Sequence, residues 1–285
     1  MMRGVSIRLF LADGDPSGLW IVEKSGWTGL GLMWPRVHHS EARKRQELER
    51  PGVYVLVGPA EESDRSRVYI GEADVLRKRL DQHHASKDFW TRAVAFTAKD
   101  DNLNKADVKY LESRLLAIAN EVQRSEIDNG NTPQSPSLSE ADIADGEAFL
   151  DEMLLLFPVL DVRAFERIET PSSVANRLQL SGPGAKAEGA ETSDGFVVFA
   201  GATARADCVP STAHGVIQLR TSLIETGLLV ATGGGLQLRQ DRVFTSPSIA
   251  AAVFLARSAN GRIEWKGANG WTLKDLQKAS VGRGR

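Results

Sequence analysis

Two short β-like runs joined by a polar loop constrain this chain more than any other feature. They span residues 52–57 and 67–70, and the loop between them contains Pro59, Glu61, Glu62 and Asp64. Apolar and aromatic residues bounded by such a loop specify a hairpin. The segments after the hairpin extend the pattern. Gly71 and Asp74 precede a stretch to about residue 84 in which Leu76 and Leu80 lie one helical turn apart, with Asp74 as a candidate cap. A strand over 92–97 comes next. Leu111, Leu115, Ile118 and Val122 then mark an amphipathic helix over 107–122, ended by a turn-rich stretch near Asp128. The expected order is strand, strand, helix, strand, helix.

A chain of 285 residues has room for two modules. Residues 1–48 read as an accessory segment: an alternating strand (Val5, Ile7, Leu9, Leu11), a glycine-containing stretch from Trp20 to Trp34, and a charged, helix-forming stretch over 40–49 closed by Pro51. The first module proper spans 49–167. It takes in a further helix, expected behind a Ser137–Glu140 capping box and carrying Ile143, Phe149, Leu150, Met153 and Leu154. Residues 168–194, rich in Ser, Gly, Ala and Pro, read as a linker. Residues 195–285 form the second module: a strand over 196–200, helices over 211–226 and 246–256, a flexible turn at 233–235, and a strand with a tight turn over 262–271 in which Trp265 and Trp271 are core candidates. The fold class is α/β of the α+β kind in both modules.

Charge and cysteine content narrow the chemistry. Thirty-five Lys plus Arg against 37 Asp plus Glu leave no global signature of nucleic-acid binding, so any such footprint is local. Residues 121–170 carry 12 acidic and 3 basic side chains, residues 239–285 9 basic and 3 acidic. A lone Cys208 excludes disulfides within the chain and cysteine-built zinc sites, and it is expected to be inert. No apolar run has the length of a signal peptide or membrane span, so the expectation is a soluble, cytoplasmic protein without a membrane partner. His38, His39 and His84 lack metal-ligand spacing and are expected to be surface imidazoles.

The residues suited to chemistry cluster in the first module. Tyr54 and Tyr69 sit on the two hairpin strands within Gly52-Val53-Tyr54 and Tyr69-Ile70-Gly71. Arg79 and His83 are four apart, hence on one helical face where they can share a phosphate, and Glu112 borders the apolar stripe of the next helix. Phosphodiester hydrolysis needs charge neutralisation on the non-bridging oxygens, a base near water and stabilisation of the leaving oxygen. These side chains match those tasks.

This arrangement resembles the GIY-YIG nuclease superfamily. The resemblance implies a small three-stranded antiparallel sheet flanked by helices. It also implies a site of Tyr54, Tyr69, Arg79, His83 and Glu112, completed by an asparagine that is either Asn129 or Asn131, with Asn129 favoured. Val53 stands where the family has Ile, and the loop between the tripeptides is long. By the same resemblance Glu112 would hold one divalent cation, Mg²⁺ or another such as Mn²⁺, and Arg79 would bind the scissile phosphate through its planar fork. Tyr54 and His83 are candidates for positioning or deprotonating water, with Tyr69 in support. The substrate would be DNA, double-stranded, with a homodimer as a candidate assembly and Arg77 and Lys78 as further contacts. The last 60 or so residues resemble an uncharacterised domain attached to GIY-YIG proteins, and one beside restriction and modification enzymes proposed to recognise modified DNA. Arg239, Arg242, Arg257, Arg262 and Lys266 are then candidate phosphate contacts, and Trp265 and Trp271 are either core or stacking residues. The reading is a DNA endonuclease serving restriction, defence or repair. The alternative is a catalytically silent binding protein on the same scaffold.

Overall fold

The computed structural model describes residues 4–60, 65–100, 102–130, 136–166 and 177–282. The chain divides into two compact units, Met1–Arg167 and Ile168–Arg285. Both are mixed α/β. No helix among the described residues is long and apolar enough to cross a membrane.

The first unit contains β1 (Ile7–Leu11), β2 (Trp20–Lys24), β3 (Gly29–Pro35), α1 (His39–Ala42), β4 (Gly52–Pro59), β5 (Ser66–Ala73), α2 (Leu76–Ser86), β6 (Arg92–Ala98), α3 (Lys105–Val122), β7 (Ser125–Ile127) and α4 (Glu140–Leu156). Its sheet has seven strands in the order β1-β2-β3-β6-β4-β5-β7. The expectation of a small three-stranded sheet is corrected: β6, β4 and β5 pair antiparallel as the fourth to sixth strands of this larger sheet. Alternation along β4 sends Val53, Val55 and Val57 to a core shared with α3 and α4, and Tyr54 and Leu56 to the opposite core, where α2 contributes Leu76 and Leu80.

The accessory reading of residues 1–48 is corrected. β3 pairs with β6 over seven residues, from Gly29 with Ala98 to Pro35 with Arg92, so the first three strands extend the same sheet. Such long-range pairing leaves no local mark at Pro51. The charged stretch over 40–49 makes only the single turn of α1 and a 3₁₀ turn, Gln46–Glu49, because Ala42 and Leu48 are its only buried apolar anchors. Asp74 pairs with Lys105 at 2.6 Å and does not cap α2. The capping box of α4 is Ser139 with Asp142, two residues beyond the expected pair.

The second unit contains β8 (Leu178–Gly182), β9 (Ala185–Thr192), β10 (Gly195–Val198), β11 (Thr203–Ala204), α5 (His214–Glu225), β12 (Leu229–Thr232), β13 (Gly235–Leu238), β14 (Arg242–Phe244), α6 (Pro247–Leu255), α7 (Gly261–Glu264) and α8 (Leu273–Gly282). Its strands run β12-β13-β11-β9-β10-β14, with β8 paired to β9. Residues 178–194 are therefore strand and turn, not linker; residues 168–176 lie outside the described residues. Small side chains misled the reading. At Gly189 a Cβ would stand 2.5 Å from the Val197 carbonyl oxygen, so close packing and not looseness selects glycine there. The strand expected over 262–271 is α7 followed by a turn. Trp265 is fully buried and donates from Nε1 to the Pro247 carbonyl at 2.9 Å, whereas Trp271 is 50% exposed and is no core residue. Cys208 is half-buried.

Candidate active site

The chemistry-bearing residues of the first unit meet along β5, beyond the end of β7. The short β7 runs parallel to Ser66–Val68 only, which frees the β5 edge from Tyr69 onward between α2 and α3. Register places Tyr54 opposite Gly71 on one side and Ala95 on the other. Tyr69 pairs with Leu56 and so stands diagonal to Tyr54 on the same face, with their rings 6.2 Å apart. The glycines of the two tripeptides have separate tasks. At Gly71 a Cβ would run into the Tyr54 phenol, whose Cζ would be 2.5 Å away; at Gly52 it would strike the Phe96 carbonyl oxygen and approach Leu76 to 2.7 Å. Gly71 admits the tyrosine ring, and Gly52 lets β4 lie against β6 and α2.

α2 brings Arg79 and His83 to this pair of tyrosines. Tyr54 and His83 are both buried, and their Oη and Nε2 atoms are 2.8 Å apart. Burial pushes the Tyr54 phenol well above its ordinary range, reinforced by Tyr69 and opposed by Arg79. Burial, with Arg79 and Lys87 nearby, lowers His83 to about 4. At neutral pH the imidazole is therefore neutral, and with its proton on Nδ1 the Nε2 atom can accept from the Tyr54 phenol. Arg79 is exposed, interacts with both phenol oxygens and reaches Gln82 at 3.2 Å, which leaves its fork accessible to a phosphate. Lys87 lies 4.5 Å from the Tyr69 ring centroid and pairs with Asp128 at 2.5 Å.

His83 makes one consequence measurable. Its pKa, about 4 when folded against an ordinary 6.5, means that the unfolded chain binds a proton that the native protein refuses between those values. The His83 contribution to stability is expected to be lost as pH drops from about 6.5 to 4, so over that interval His83→Leu should lose less stability than the parent in denaturant titrations. Parallel profiles for the two proteins would contradict the burial of a neutral imidazole.

Glu112 lies on α3, half-buried, on the other side of the same edge. Burial first, then the nearby Glu72 carboxylate, raises it to about 7, while Arg79 and the Glu72 backbone amide oppose the shift. Glu72 is itself raised by burial and by Asp74. Sequence reading passed over Glu72, although it directly follows Gly71. Among the described residues no group of three or more His, Cys, Asp or Glu side chains is placed to hold a metal ion. One or two half-buried carboxylates whose charge the nearby Arg79 and Lys109 compensate only in part nonetheless suit Mg²⁺, which keeps several waters and takes its remaining ligands from substrate phosphates.

Asn129 is bonded to the β5 edge. Its side chain accepts from the Ile70 backbone N–H at 3.0 Å and donates to the Ile70 carbonyl at 2.7 Å, so it completes the β5 edge where β7 has ended. It braces the segment between Tyr69 and Gly71. Asn131 lies outside the described residues. Arg77 is engaged with Glu49, and Lys78 is exposed one residue further on.

In the second unit the candidate contacts fall in two places. Arg239 and Arg242 flank the connection between β13 and β14; Arg257, Arg262 and Lys266 surround α7. Arg257 pairs with Glu264 at 2.8 Å, Arg262 donates to Gln277 at 3.0 Å, and Arg239, Arg262 and Lys266 are exposed. A family model described as a domain of unknown function, DUF4357, matches residues 178–277, a span that begins with β8 and ends within α8. No curated protein matches the chain, and no solved structure does.

Proposed function

We propose that the first unit is a metal-dependent endonuclease of the GIY-YIG type acting on double-stranded DNA, and that the second unit helps select where it acts. The observation that carries this reading is the meeting of Tyr54, Tyr69, Arg79 and His83 on one strand edge with Glu112 across it. Arg79 binds the scissile phosphate through its fork and offsets charge on the non-bridging oxygens. Tyr54 takes the proton of the attacking water as it passes its own to His83 Nε2, the step for which the neutral ring carries its proton on Nδ1. Tyr69 orients Arg79, and Asn129 holds the strand that carries Tyr69. Glu112, with Glu72 beside it, would hold the Mg²⁺ ion, whose chemistry is stabilisation of the leaving 3′-oxygen. Exposed Arg239, Arg262 and Lys266, with half-exposed Trp271 on its turn, are the parts of the second unit suited to nucleic acid.

Purified protein is expected to convert supercoiled plasmid to nicked and linear forms in Mg²⁺, and EDTA should abolish this. DNA binding with no cleavage in any divalent cation would favour a silent binding protein on the same scaffold.

A further inference from the structure

Residues 34–43 take no part in the proposed chemistry, yet they grip the helix that carries two of its residues. Arg79 and His83 share one face of α2. Asp81 lies about 200° round the axis from each of them, on the opposite face. There it meets His39 and Arg43: His39 Nε2 is 3.0 Å from Asp81 Oδ1, and Arg43 donates to both Asp81 oxygens at 3.1 and 2.8 Å. The other His39 nitrogen, Nδ1, lies 3.3 Å from the Trp34 indole Nε1. An indole N–H only donates, so Nδ1 must be bare and the ring proton must sit on Nε2, directed at Asp81. The expectation of a surface imidazole is thereby corrected: His39 is 4% exposed and stacks on His84 with centroids 4.5 Å apart.

Both ends of α2 are tied down as well. Arg36 donates to the His84 and Lys87 carbonyls at 2.8 and 2.6 Å, satisfying C-terminal acceptors that the helix leaves open, and its guanidinium covers the Trp90 ring at 4.5 Å. At the other end the Leu76 N–H bonds the Arg50 carbonyl, and Arg77 pairs with Glu49. α2 has no capping side chain of its own. Its apolar anchors are Leu76 and Leu80, one turn apart, a single line of contact that resists rotation about the helix axis weakly.

We propose that His39, neutral with its proton on Nε2, is a positioning residue that sets the rotation of α2 through Asp81, and so holds Arg79 and His83 against Tyr54 and Tyr69. This role rests on the nuclease reading of the first unit. Besides Asp81, the charged or titratable groups facing His39 are Arg43 on its own segment and His84 on α2, with Arg36 beside His84. A second proton on Nδ1 would point at the Trp34 N–H, donor against donor, so the clamp works only in the neutral form.

Three substitutions test it. Gln at position 39 can accept from Trp34 and donate to Asp81, whereas Phe keeps the stacking and loses both bonds. His39→Phe is expected to lower kcat for DNA cleavage about 10- to 100-fold with Kd for DNA unchanged, and to shift the His83 imidazole resonances in NMR spectra; His39→Gln should stay within about threefold of the parent in both. Asp81→Ala, which leaves the buried ring in place, should reproduce His39→Phe should that variant fail to fold. Folded His39→Phe or Asp81→Ala protein with parental kcat and unshifted His83 resonances would overturn the proposal, even with a lowered melting temperature. If the parent protein cleaves no DNA, the nuclease reading fails by itself. The His83 resonances then decide the clamp: a shift in His39→Phe but not in His39→Gln supports it, and no shift refutes it.

Discussion

Arg79→Ala is expected to slow DNA cleavage by about a thousandfold while weakening DNA binding less than about tenfold. The asymmetry stems from where the guanidinium sits. It is exposed at the β5 edge beside the two phenol oxygens, a place suited to charge that develops as the phosphodiester breaks. Ground-state affinity draws instead on many phosphate contacts, of which this is one. Arg79→Lys should recover little of the rate, because an ammonium lacks the planar fork. Single-turnover cleavage at saturating protein, beside a binding titration, separates the two effects. Equal losses in rate and affinity would place Arg79 among the general DNA contacts.

Gly71→Ala carries the next largest effect, and it tests the strand geometry directly. The new methyl would occupy the space of the Tyr54 ring, which lies 1% exposed between Gly71 and Ala95 and is held by His83. With no free volume to take up the ring, the substitution should cost about 1–3 kcal/mol of stability by overpacking. Displacing the phenol by about an ångström should lower cleavage about a hundredfold or more in protein that still folds. Thermal unfolding and single-turnover rates read the two losses. Parental activity in a folded Gly71→Ala protein would mean that Tyr54 does not work from its observed position.

What the sequence made legible was local. Tyr69, Arg79 and His83 sit within a strand, a turn and a helix that adjoin one another in the chain, so chain order alone brings them together; Tyr54 joins them through a hairpin. What stayed hidden depended on partners far along the chain. The pairing of β3 with β6 joins residues some 60 positions apart, and nothing in the 29–35 stretch names its partner. Residues 178–192 looked like a linker because Ala and Gly, selected there for close approach between strands, have the composition of a loop. Asn129 was legible as a position but not as a brace, since its role depends on where β7 stops. Nor could spacing distinguish Trp265 from Trp271, which differ only in which side of a turn faces the core. His39 was misread as a surface imidazole and Glu72 was missed for the same reason: a single imidazole and a single carboxylate carry no signal until Asp81 and Glu112 lie beside them.

The nuclease reading meets its sharpest test in single-turnover cleavage of an end-labelled DNA duplex by the parent protein and by Glu112→Ala, in Mg²⁺, with both held at equal DNA occupancy. Cleavage by the parent alone is expected, with the variant folded and bound to DNA but inert. Cleavage at the same rate by both proteins, or none by the parent while it occupies the duplex, would contradict the assignment of Glu112 and its neighbours as a metal-dependent nuclease site.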